Sequence, residues 1–514
     1  MTAFYTDRTS ARQGGRIALH ASSGAGPCSI EIARIGKSRE LVATIGGIEV
    51  GNHPTPERAD INGCGWPVAR EIEVGLDWKS GYYDLRLTDS AGNSWHHFLC
   101  VRPAAGTRGA PALLVLNTNT YNSYNYWGGA SAYCDVAALM SGAKPLPEAM
   151  KGAIGVMSTQ RPYPQAIVAA PSDAPRLVNM RKRGFKENPW ASDTAWAIAH
   201  RMTPYDGSAG FLNKWEHVFV EWAEDQGIAL DYATDYDLEA EAAALDGYSA
   251  VLLVGHSEYW TANERDALER FVDAGGGLAI FSGNTAFWKV RYEDDGKTYV
   301  CHKWKGFEAD PAASIEDPTL ATHLWSHSAF ARPEAEITGL TFLYGGYHRL
   351  GMCAARGQGG YTIYHDQHWA LEGADLFFGD VIGDDIPLLG YENDGCRFYF
   401  GDDGLPKPVT SLGVPENLEI IGIAPCAFGE DPANPYSPII PPENLQIIAT
   451  DVFGDPALAS NPGLIRGHAV MASFKRGEGE VFNAGTTEWA HALKAGDPYV
   501  ARITRNVLRR FGAA

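Results

Sequence analysis

This sequence lacks the segments that identify membrane-spanning, secreted and disulfide- or zinc-stabilised proteins. No stretch approaches the roughly 18 consecutive apolar residues of a membrane-spanning helix, and the N-terminal MTAFYTDRTSARQGG has no apolar signal-peptide core. The eight cysteines include no Cys-x-x-Cys pair, so neither a zinc ribbon nor a compact disulfide framework is indicated. We therefore expect reduced thiols and a cytoplasmic protein.

Positive charge is scarce as well. The 42 lysines and arginines are outnumbered by 62 aspartates and glutamates, which gives a net charge of -20. A surface of that sign repels the phosphate backbone of nucleic acids and anionic lipid headgroups. We expect neither nucleic acid nor a membrane surface as a partner.

The chain is long and rich in aromatic side chains. Its 514 residues exceed what one hydrophobic core usually organises, so two or three domains are expected. Aromatic residues make up 11% of the sequence and include 14 tryptophans, and such side chains often line binding pockets. The composition predicts a multidomain globular protein with a large core.

The N-terminal region reads as short alternating strands separated by Gly, Pro and Asp turns. "GRIALHASS", "CSIEIARIG" and "REIEVGLDW" alternate, and "SGYYDLRLTDSAGNSWHHFLCVRP" predicts a hairpin with its turn at 89 to 93. About seven strands at this spacing are typical of a β-sandwich. We predict an immunoglobulin-like sandwich domain over residues 1–105, followed by the linker "PAAGTRGAP".

Beyond the linker the hydrophobic period changes. "ALLVLN", "YSAVLLVG" and "LAIFSGN" are continuous apolar runs, as in parallel strands covered on both faces. "FLNKWEHVFVEWAEDQG" and "TANERDALERFVDAGGG" have helical periodicity, the second with Thr261 and Glu264 as a capping box. This alternation predicts a doubly wound α/β domain over residues 110–514. Extra strands and loops are expected at about 295–450, with "TSLGVPENLEIIGIAP" and "LQIIATDVFG" as added strands, and "DPYVARITRNVLRRF" is expected to form a tail helix.

Polar and aromatic side chains follow the carboxyl ends of these predicted strands, where open α/β sheets bind their ligands. "TNTYNSYNYWGG", "HSEYW" and "NTAFWKVR" each follow a strand, and "GVMSTQRPYP" is a fourth extended segment. On an extended chain His256 and Glu258 face the same way, with Ser257 opposed. If the strands are neighbours, one cleft collects Tyr121, Tyr124, Tyr126, Tyr163, His256, Glu258 and Asn284.

Phenols, a carboxylate and an imidazole together favour a metal over a nucleophile. A tyrosine hydroxyl has an ordinary pKa of about 10 and becomes a ligand only when a strongly Lewis-acidic cation drives off its proton. An oxygen-rich set with open positions suits iron better than a soft-ligand metal. Such a centre can polarise a carbonyl and acidify a water.

Each motif also has a plainer interpretation. "YNSYNYW" alone is more typical of an aromatic wall or a carbohydrate-stacking surface, and Glu258 alone could serve the N-terminal dipole of the following helix. His256 could be a hydrogen-bonded strand tip and Asn284 a left-handed turn residue. The alternative function is therefore a carbohydrate-binding or sugar-processing protein without iron, and a third is an inactive chain that serves assembly with a partner.

The sequence contains no motif of a catalytic cysteine or serine nucleophile and no phosphate-binding loop. No cysteine occupies a strand-to-helix elbow of the glutamine-amidotransferase kind, and no G-x-S-x-G sequence is present. The glycines of "DAGGG" close a helix instead of opening one, which is the wrong end for a phosphate.

Several motifs in a fixed order resemble a known family. "ATDYDL", "LVGHSEYWT", "AGGGLAIFSGNTAFWKVR" and "FNAGTTEWAHAL…DPYVARITRNVL" are similar to the C-terminal region of the large subunit of N,N-dimethylformamidase. The resemblance covers roughly residues 110 to 512, and the strand-rich region before it resembles the sandwich that precedes this domain in relatives. It implies a glutamine-amidotransferase-like α/β domain.

The resemblance implies an enzyme that hydrolyses dimethylformamide or a related small N-substituted amide with one iron ion, expected to be ferric. Two tyrosines and one glutamate hold that iron in the family. Glu258 matches the carboxylate ligand, His256 the nearby histidine and Asn284 a pocket asparagine. A small subunit and a homo-oligomer are the implied partners, besides the amide substrate.

The tyrosine ligands follow less directly from the resemblance. Tyr124 in "YNSYN" is the first choice, with Tyr121 and Tyr126 as rivals, and Tyr163 in "QRPYP" is the second ligand. The apolar wall that would admit alkyl groups is expected from Tyr259, Trp260, Phe287 and Trp288.

Overall fold

A computed structural model defines the fold. It describes residues 2–169, 208–313, 317–348, 359–383, 386, 388–427, 430–431, 434–438 and 440–514. Two small sheets form the N-terminal module, and a nine-stranded sheet organises the rest. The chain is therefore of mixed α/β type, as the sequence predicts.

The N-terminal module consists of a three-stranded and a five-stranded sheet. Its strands are Ala3–Thr6, Ser10–Arg12, Arg16–Ser22, Cys28–Ile35, Arg39–Ile48, Val68–Glu73, Gly81–Thr88 and Ser94–Arg102. Side chains from both sheets share one core, in which Ile17 and Leu19 of one sheet meet Ile32 and Leu85 of the other. The predicted hairpin is confirmed, because Gly81–Thr88 pairs antiparallel with Ser94–Arg102.

The nine-stranded sheet joins a parallel half to an antiparallel half. In order across the sheet, its strands are Leu230–Thr234, Ala112–Leu116, Ala250–Gly255, Gly277–Ser282, Gly479–Asn483, Arg466–Arg476, Glu419–Ala427, Tyr361–Ile363 and Val381–Ile382. Pairing is parallel up to Gly479–Asn483 and antiparallel beyond it. The strands Ala250–Gly255 and Gly277–Ser282 are buried at every position, which is why they read as unbroken apolar runs.

Helices cover both faces of the parallel half. The main ones are Thr118–Tyr124, Glu216–Asp225, Asp235–Ala240, Ala262–Asp273, Trp489–Lys494 and Pro498–Arg510. The predicted capping box is confirmed: the Thr261 side chain accepts from the Glu264 backbone N–H, and the Glu264 carboxylate accepts from the Thr261 N–H. Asp497 caps the last helix by accepting from the N–H groups of Tyr499 and Val500.

Shorter elements connect these layers. The short strands are Val156–Ser158, Tyr259–Trp260, Trp288–Lys289, Arg291–Glu293, Thr298–Val300, Thr341–Gly346, Asn393–Gly395, Phe398–Phe400, Pro406–Pro408, Glu430–Asp431 and Asn434–Pro438. The short helices are Ala59–Asn62, Val136–Met140, Leu146–Met150, Gln165–Val168, Lys303–Lys305, Gly306–Ala309, Pro318–Leu320, Ala335–Thr338, Trp369–Leu371, Pro456–Ser460 and Pro462–Ile465.

One predicted strand is wrong. "LQIIATDVFG" lies in a helix that runs from Pro442–Ile447 into a wider turn over Ile448–Val452. Pro442 explains the difference, because proline at the first helical position has its φ angle preset for a helix and has no N–H to leave unpaired. The other predicted addition, Glu419–Ala427, is a strand of the antiparallel half.

The two modules are tied together by buried and partly buried polar contacts. Ser10 donates to Asp237 at 2.7 Å, and Arg102 Nε lies 3.1 Å from the same carboxylate. Arg34 bonds Glu224 at 2.7 Å. Within the described residues, no helix is long and apolar enough to cross a membrane, and the seven cysteines seen are buried free thiols.

Candidate active site

The site is at the carboxyl edge of the parallel strands, where Ala250–Gly255 ends. Gly255 has φ 84, and a Cβ there would lie 2.6 Å from Cβ of Trp215, so a larger residue would be strained and crowded. This turn carries His256 and Glu258 into the interior, where both are buried. The two side chains approach to 3.2 Å, as their alternation on an extended chain predicts.

Glu258 is surrounded by donors. One carboxylate oxygen accepts from the Trp288 indole at 2.8 Å and from the Asn284 amide at 3.2 Å, and the other lies 3.2 Å from the Tyr133 hydroxyl. Burial raises the pKa of this carboxyl, but His256, with Lys303 and a hydrogen bond from Tyr259, together outweigh burial and leave the pKa below its ordinary value. Glu258 is thus held as a carboxylate in a site from which water is largely excluded.

His256 stands between two carboxylates. Its Nε2 is 2.6 Å from Glu392 Oε2, and its Nδ1 is 3.1 Å from the Ser208 carbonyl oxygen. Burial opposes charge on the ring, yet Glu392 and Glu258 together raise the pKa of His256 to about 10. The Nε2 and Oε2 atoms are close without the alignment of a hydrogen bond, so this contact is mainly electrostatic. Glu392 lies far along the chain, and the sequence analysis did not find it.

Asn284 has two roles, one in a backbone turn and one in the site. Its φ of 53 is left-handed, and its backbone N–H donates to Asp394 Oδ1 at 2.8 Å. The Thr285 N–H donates to the other oxygen of Asp394 at 3.1 Å. Burial raises the pKa of Asp394 to about 7 against these bonds. The turn fixes the amide of Asn284 beside Glu258.

Tyrosine rings close the site on the side of the helix Thr118–Tyr124. Tyr124, at the end of that helix, packs its ring 4.5 Å from Tyr133 and 6.2 Å from His256, measured between ring centroids. The hydroxyls of Tyr133 and Tyr259 are in contact. Burial, with nearby ionisable groups such as Glu258, raises the pKa of all three phenols well above the ordinary value. None of the three is set to ionise without a cation.

The other predicted tyrosines have different partners. Tyr121 donates to Glu216, and Tyr163 donates to Asn122. Tyr126 is half-buried. Within the described parts of the chain, no hydrogen bond or ring contact joins Tyr163 to Glu258.

Lys303 supplies the positive charge of the site. Its φ of 55 is left-handed, and its ammonium lies 3.0 Å from the centroid of the Tyr133 ring. Burial lowers its pKa to about 8, while Glu258 and Glu392 act in the opposite direction. No strand-end pattern marks "CHKW", so sequence reasoning missed this residue and Tyr133 alike.

Aromatic side chains form the walls. Trp288 packs edge-to-face against Phe287 at 4.9 Å, and Trp215 and Tyr391 pack against His256 at 5.9 and 5.5 Å, all measured between ring centroids. Trp260 differs from the prediction, because its indole donates to Ser257 and its ring packs in the core on the other face of the sheet.

The donor set limits which metals could bind. Among the residues that the structure describes, no three His, Cys, Asp or Glu side chains are arranged to hold a metal ion. Carboxylate and phenol oxygens are what the site offers, and these are hard ligands that suit iron. A metal here would need tyrosine oxygen in its shell.

Comparison with known proteins supports the resemblance seen in the sequence. The sequence model described as "N,N-dimethylformamidase beta subunit-like, C-terminal" matches residues 29–502. A relative, the N,N-dimethylformamidase beta subunit of Alcaligenes sp., is 24% identical over 242 residues, which cover 45% of this chain and 28% of that protein. The predicted resemblance is confirmed, and the family match starts earlier than expected, within the N-terminal module.

Proposed function

Since the chain belongs to the N,N-dimethylformamidase beta subunit-like, C-terminal family, we propose that it hydrolyses the C–N bond of small N-substituted amides such as dimethylformamide. One observation carries the proposal. Glu258 is a buried carboxylate with Tyr133 and His256 within 3.2 Å, at the edge of the sheet where α/β proteins bind ligands. Groups that handle protons and groups that bind a hard cation thus share one enclosed site.

The residues present fit iron. Glu258 and Tyr124 are the proposed ligands, and a second tyrosine has two candidates. The resemblance implies Tyr163. The geometry favours Tyr133, because its hydroxyl lies 3.2 Å from Glu258. Bound ferric iron would supply a Lewis acid that polarises the amide carbonyl and acidifies a water.

The remaining side chains would bind, orient and move protons. His256 would exchange a proton with the attacking water or the leaving amine, and the negative charge of Glu392 would stabilise the protonated ring. The Asn284 amide and Trp288 indole would keep Glu258 in one orientation. The walls of Trp215, Phe287 and Trp288 would exclude water and favour alkyl over charged substituents.

Several finer assignments belong to the same proposal. The N-terminal module would be immunoglobulin-like and the larger module glutamine-amidotransferase-like. The relative's name, a beta subunit, motivates a small partner subunit, and a cytoplasmic location and a homo-oligomer complete the proposal.

Metal content and visible absorption test the iron. Purified protein should contain iron and show a phenolate-to-iron charge-transfer band, which Glu258→Gln should abolish by loss of the metal. Tyr124→Phe, Tyr133→Phe and Tyr163→Phe should then separate ligands from neighbours, with the exposed Tyr399→Phe as the control. Colourless protein that takes up no iron would refute this assignment.

The carbohydrate alternative has less support. A sugar-stacking platform needs an open ring face, but Tyr121 and Tyr124 are buried within or beside the helix Thr118–Tyr124. Glycan binding that survives Glu258→Ala and chelation would nevertheless favour it over the hydrolase.

A further inference from the structure

A short segment at the strand Asn393–Gly395 carries two buried carboxyl groups. Glu392 and Asp394 are two residues apart on an extended chain, so their side chains point to the same side of it. Glu392 lies against His256, whereas Asp394 lies against the turn that follows the strand Gly277–Ser282. The proposed reaction uses the first carboxyl group and leaves the second without a role.

Asp394 binds two consecutive backbone N–H groups. The Asn284 N–H donates to Oδ1 at 2.8 Å and the Thr285 N–H donates to Oδ2 at 3.1 Å, and all three residues are buried. We call this arrangement the carboxylate clasp. One side chain thereby fixes the direction of two peptide groups, and with them the direction in which the Asn284 side chain leaves the backbone.

The turn under the clasp has an unusual backbone. Asn284 has φ 53 and Ala286 has φ 55, both left-handed, and alanine adopts this region far less readily than asparagine. The Ala286 N–H donates to the Ser257 carbonyl oxygen at 2.8 Å. Such conformations persist only where the surrounding structure fixes them. Here the clasp holds the turn at one side and Ser257 holds it at the other.

The carboxyl group of the clasp has no cation beside it. Among the residues that the structure describes, no lysine, arginine or histidine forms an ion pair with Asp394. Burial raises the pKa of Asp394, the hydrogen bonds from Thr285 and Asn284 lower it, and the Glu334 carboxyl raises it further. Since a buried carboxylate is costly without partners, its orientation and that of the two N–H groups are fixed together.

The turn carries the amide of Asn284 to both carboxylates of the site. The Nδ2 atom donates to Glu258 Oε1 at 3.2 Å. Burial raises the pKa of Glu392, whereas His256 and the Asn284 amide lower it. The Oδ1 atom of Asn284 is buried and has no hydrogen-bond partner within the described structure, so it remains an acceptor. A small rotation of the turn would withdraw this amide from Glu258 and Glu392 together.

The segment that supplies the clasp is itself held by backbone contacts. The Asp394 N–H donates to the Gly485 carbonyl oxygen at 3.0 Å, and the Thr487 N–H donates to the Glu392 carbonyl oxygen at 3.1 Å. A Cβ at Gly283 would lie 2.2 Å from that same Glu392 oxygen, so the turn and the segment touch directly. The clasp therefore joins two rigid parts.

We propose that Asp394 is a positioning residue of the site, which acts through the Asn284 backbone and holds the Asn284 amide between Glu258 and Glu392. The inference rests on the proposed amide hydrolysis. It adds that residues 392–394 perform two tasks from one extended segment, because one carboxylate charges the His256 imidazole and the other orients the amide.

A second clasp in the same sheet provides a matched control. Asp231 is buried and accepts from the backbone N–H groups of Gly109 at 2.8 Å and Ala110 at 3.2 Å. It lies near the amino ends of the parallel strands, away from the site. Removing its charge should therefore disturb the fold to a similar degree without moving a residue of the site.

Steady-state kinetics with dimethylformamide test the positioning role. Asp394→Asn replaces one acceptor oxygen with an NH2 group, which cannot accept from the N–H that faces it. In this variant kcat should fall about 100-fold, as a misplacement of about 1 Å can cause. KM should change less than about threefold, because the apolar walls are untouched. Asp231→Asn should leave kcat unchanged, and circular dichroism establishes that each variant is folded.

A double-mutant cycle tests whether Asp394 acts through Asn284. Asn284→Gly removes the amide, while glycine keeps the left-handed backbone without strain. In that background Asp394→Asn should lower kcat less than about threefold further, since the group it positions is already gone. A further loss of about 100-fold would show that Asp394 acts by another route and would overturn the proposal.

Amide hydrogen exchange tests the clasp without any assay of activity. In the wild type the N–H groups of Asn284 and Thr285 should exchange slowly, because both are buried and bonded. Asp394→Asn, or Asp394→Ser if the first variant does not fold, should speed exchange in residues 282–288, whereas Asp231→Asn should not.

These measurements separate the two levels of the proposal. A wild-type chain that hydrolyses no amide would refute the proposed function and the catalytic part of this inference, whereas slow exchange would still support the clasp. Fast exchange at Asn284 and Thr285 in the wild type would overturn the clasp itself. Wild-type kcat in folded Asp394→Asn protein would overturn the positioning role.

Discussion

The Nε2 atom of His256 lies 2.6 Å from Oε2 of Glu392, although the two residues belong to distant parts of the chain. His256 follows a parallel strand, whereas Glu392 precedes Asn393–Gly395, a short strand that pairs with Thr341–Gly346. The contact therefore joins the parallel half of the sheet to the elaborated region. It sets the protonation of the imidazole on which the proposed reaction depends.

Glu392→Gln should reduce amide hydrolysis about 100-fold, because the imidazole loses the carboxylate that supports its charged form. The His256 imidazole of this variant should lose its proton at a lower pH than in the wild type, and the pH profile of turnover should shift accordingly. The exposed Glu372→Gln is the control for removal of one negative charge. Unchanged kinetics in folded Glu392→Gln protein would remove Glu392 from the proposed site.

Lys303→Met should keep the fold and lower kcat/KM for an amide at least about tenfold, equivalent to roughly 1.4 kcal/mol. Methionine is unbranched and only one atom shorter than lysine, but it removes the cation beside Glu258 and the Tyr133 ring. Lys305→Met, two residues away, is the control. Wild-type kinetics in Lys303→Met would mean that the ammonium serves only packing.

Gly283→Ala should destabilise the protein by about 1–3 kcal/mol, as overpacking does. A Cβ at this position would lie 2.2 Å from the Glu392 carbonyl oxygen, which belongs to backbone and cannot easily move away. Urea unfolding measures the loss. Gly46→Ala, where an added Cβ meets nothing within 4 Å, should change stability far less. Equal stabilities for the two variants would contradict the close approach of these segments.

Glu488 predicts a particular pH dependence of stability. Burial raises its pKa from 4.5 to about 7, so the folded state favours the protonated form. The contribution of Glu488 to the free energy of unfolding is therefore fully present below about pH 4.5. It is lost as pH rises to about 7, by at most about 1.4 kcal/mol per pH unit.

Glu488→Gln removes this titration and keeps an acceptor for the Trp215 indole. Relative to the wild type, the variant should gain stability as pH rises from about 4.5 to about 7 and keep that gain above it. Urea unfolding across this range measures the difference. Glu478→Gln, at an exposed glutamate, should follow the wild-type curve. A pH-independent difference for Glu488→Gln would show that its carboxyl titrates alike in both states.

The sequence predicted the elements whose signals are local. Parallel strands buried on both faces need unbroken apolar runs, and helix starts need capping residues such as Thr261, so both are visible without a structure. The error at Pro442–Ile447 shows the limit of this reasoning, since a short apolar run fits a buried helix as well as a strand.

By itself, the sequence determined that His256, Glu258 and Asn284 follow the ends of buried strands, because the apolar runs mark where those strands end. That these strands are neighbours in the sheet was decided by the tertiary structure. Only the tertiary structure decided which other groups join them. Tyr133, Lys303 and Glu392 lie in loops or short elements without hydrophobic periodicity, so nothing local indicates their direction. Their place near Glu258 and His256 results from long-range packing, of the loop that carries Tyr133 and of the elaborated region that carries Lys303 and Glu392, which residue spacing does not encode.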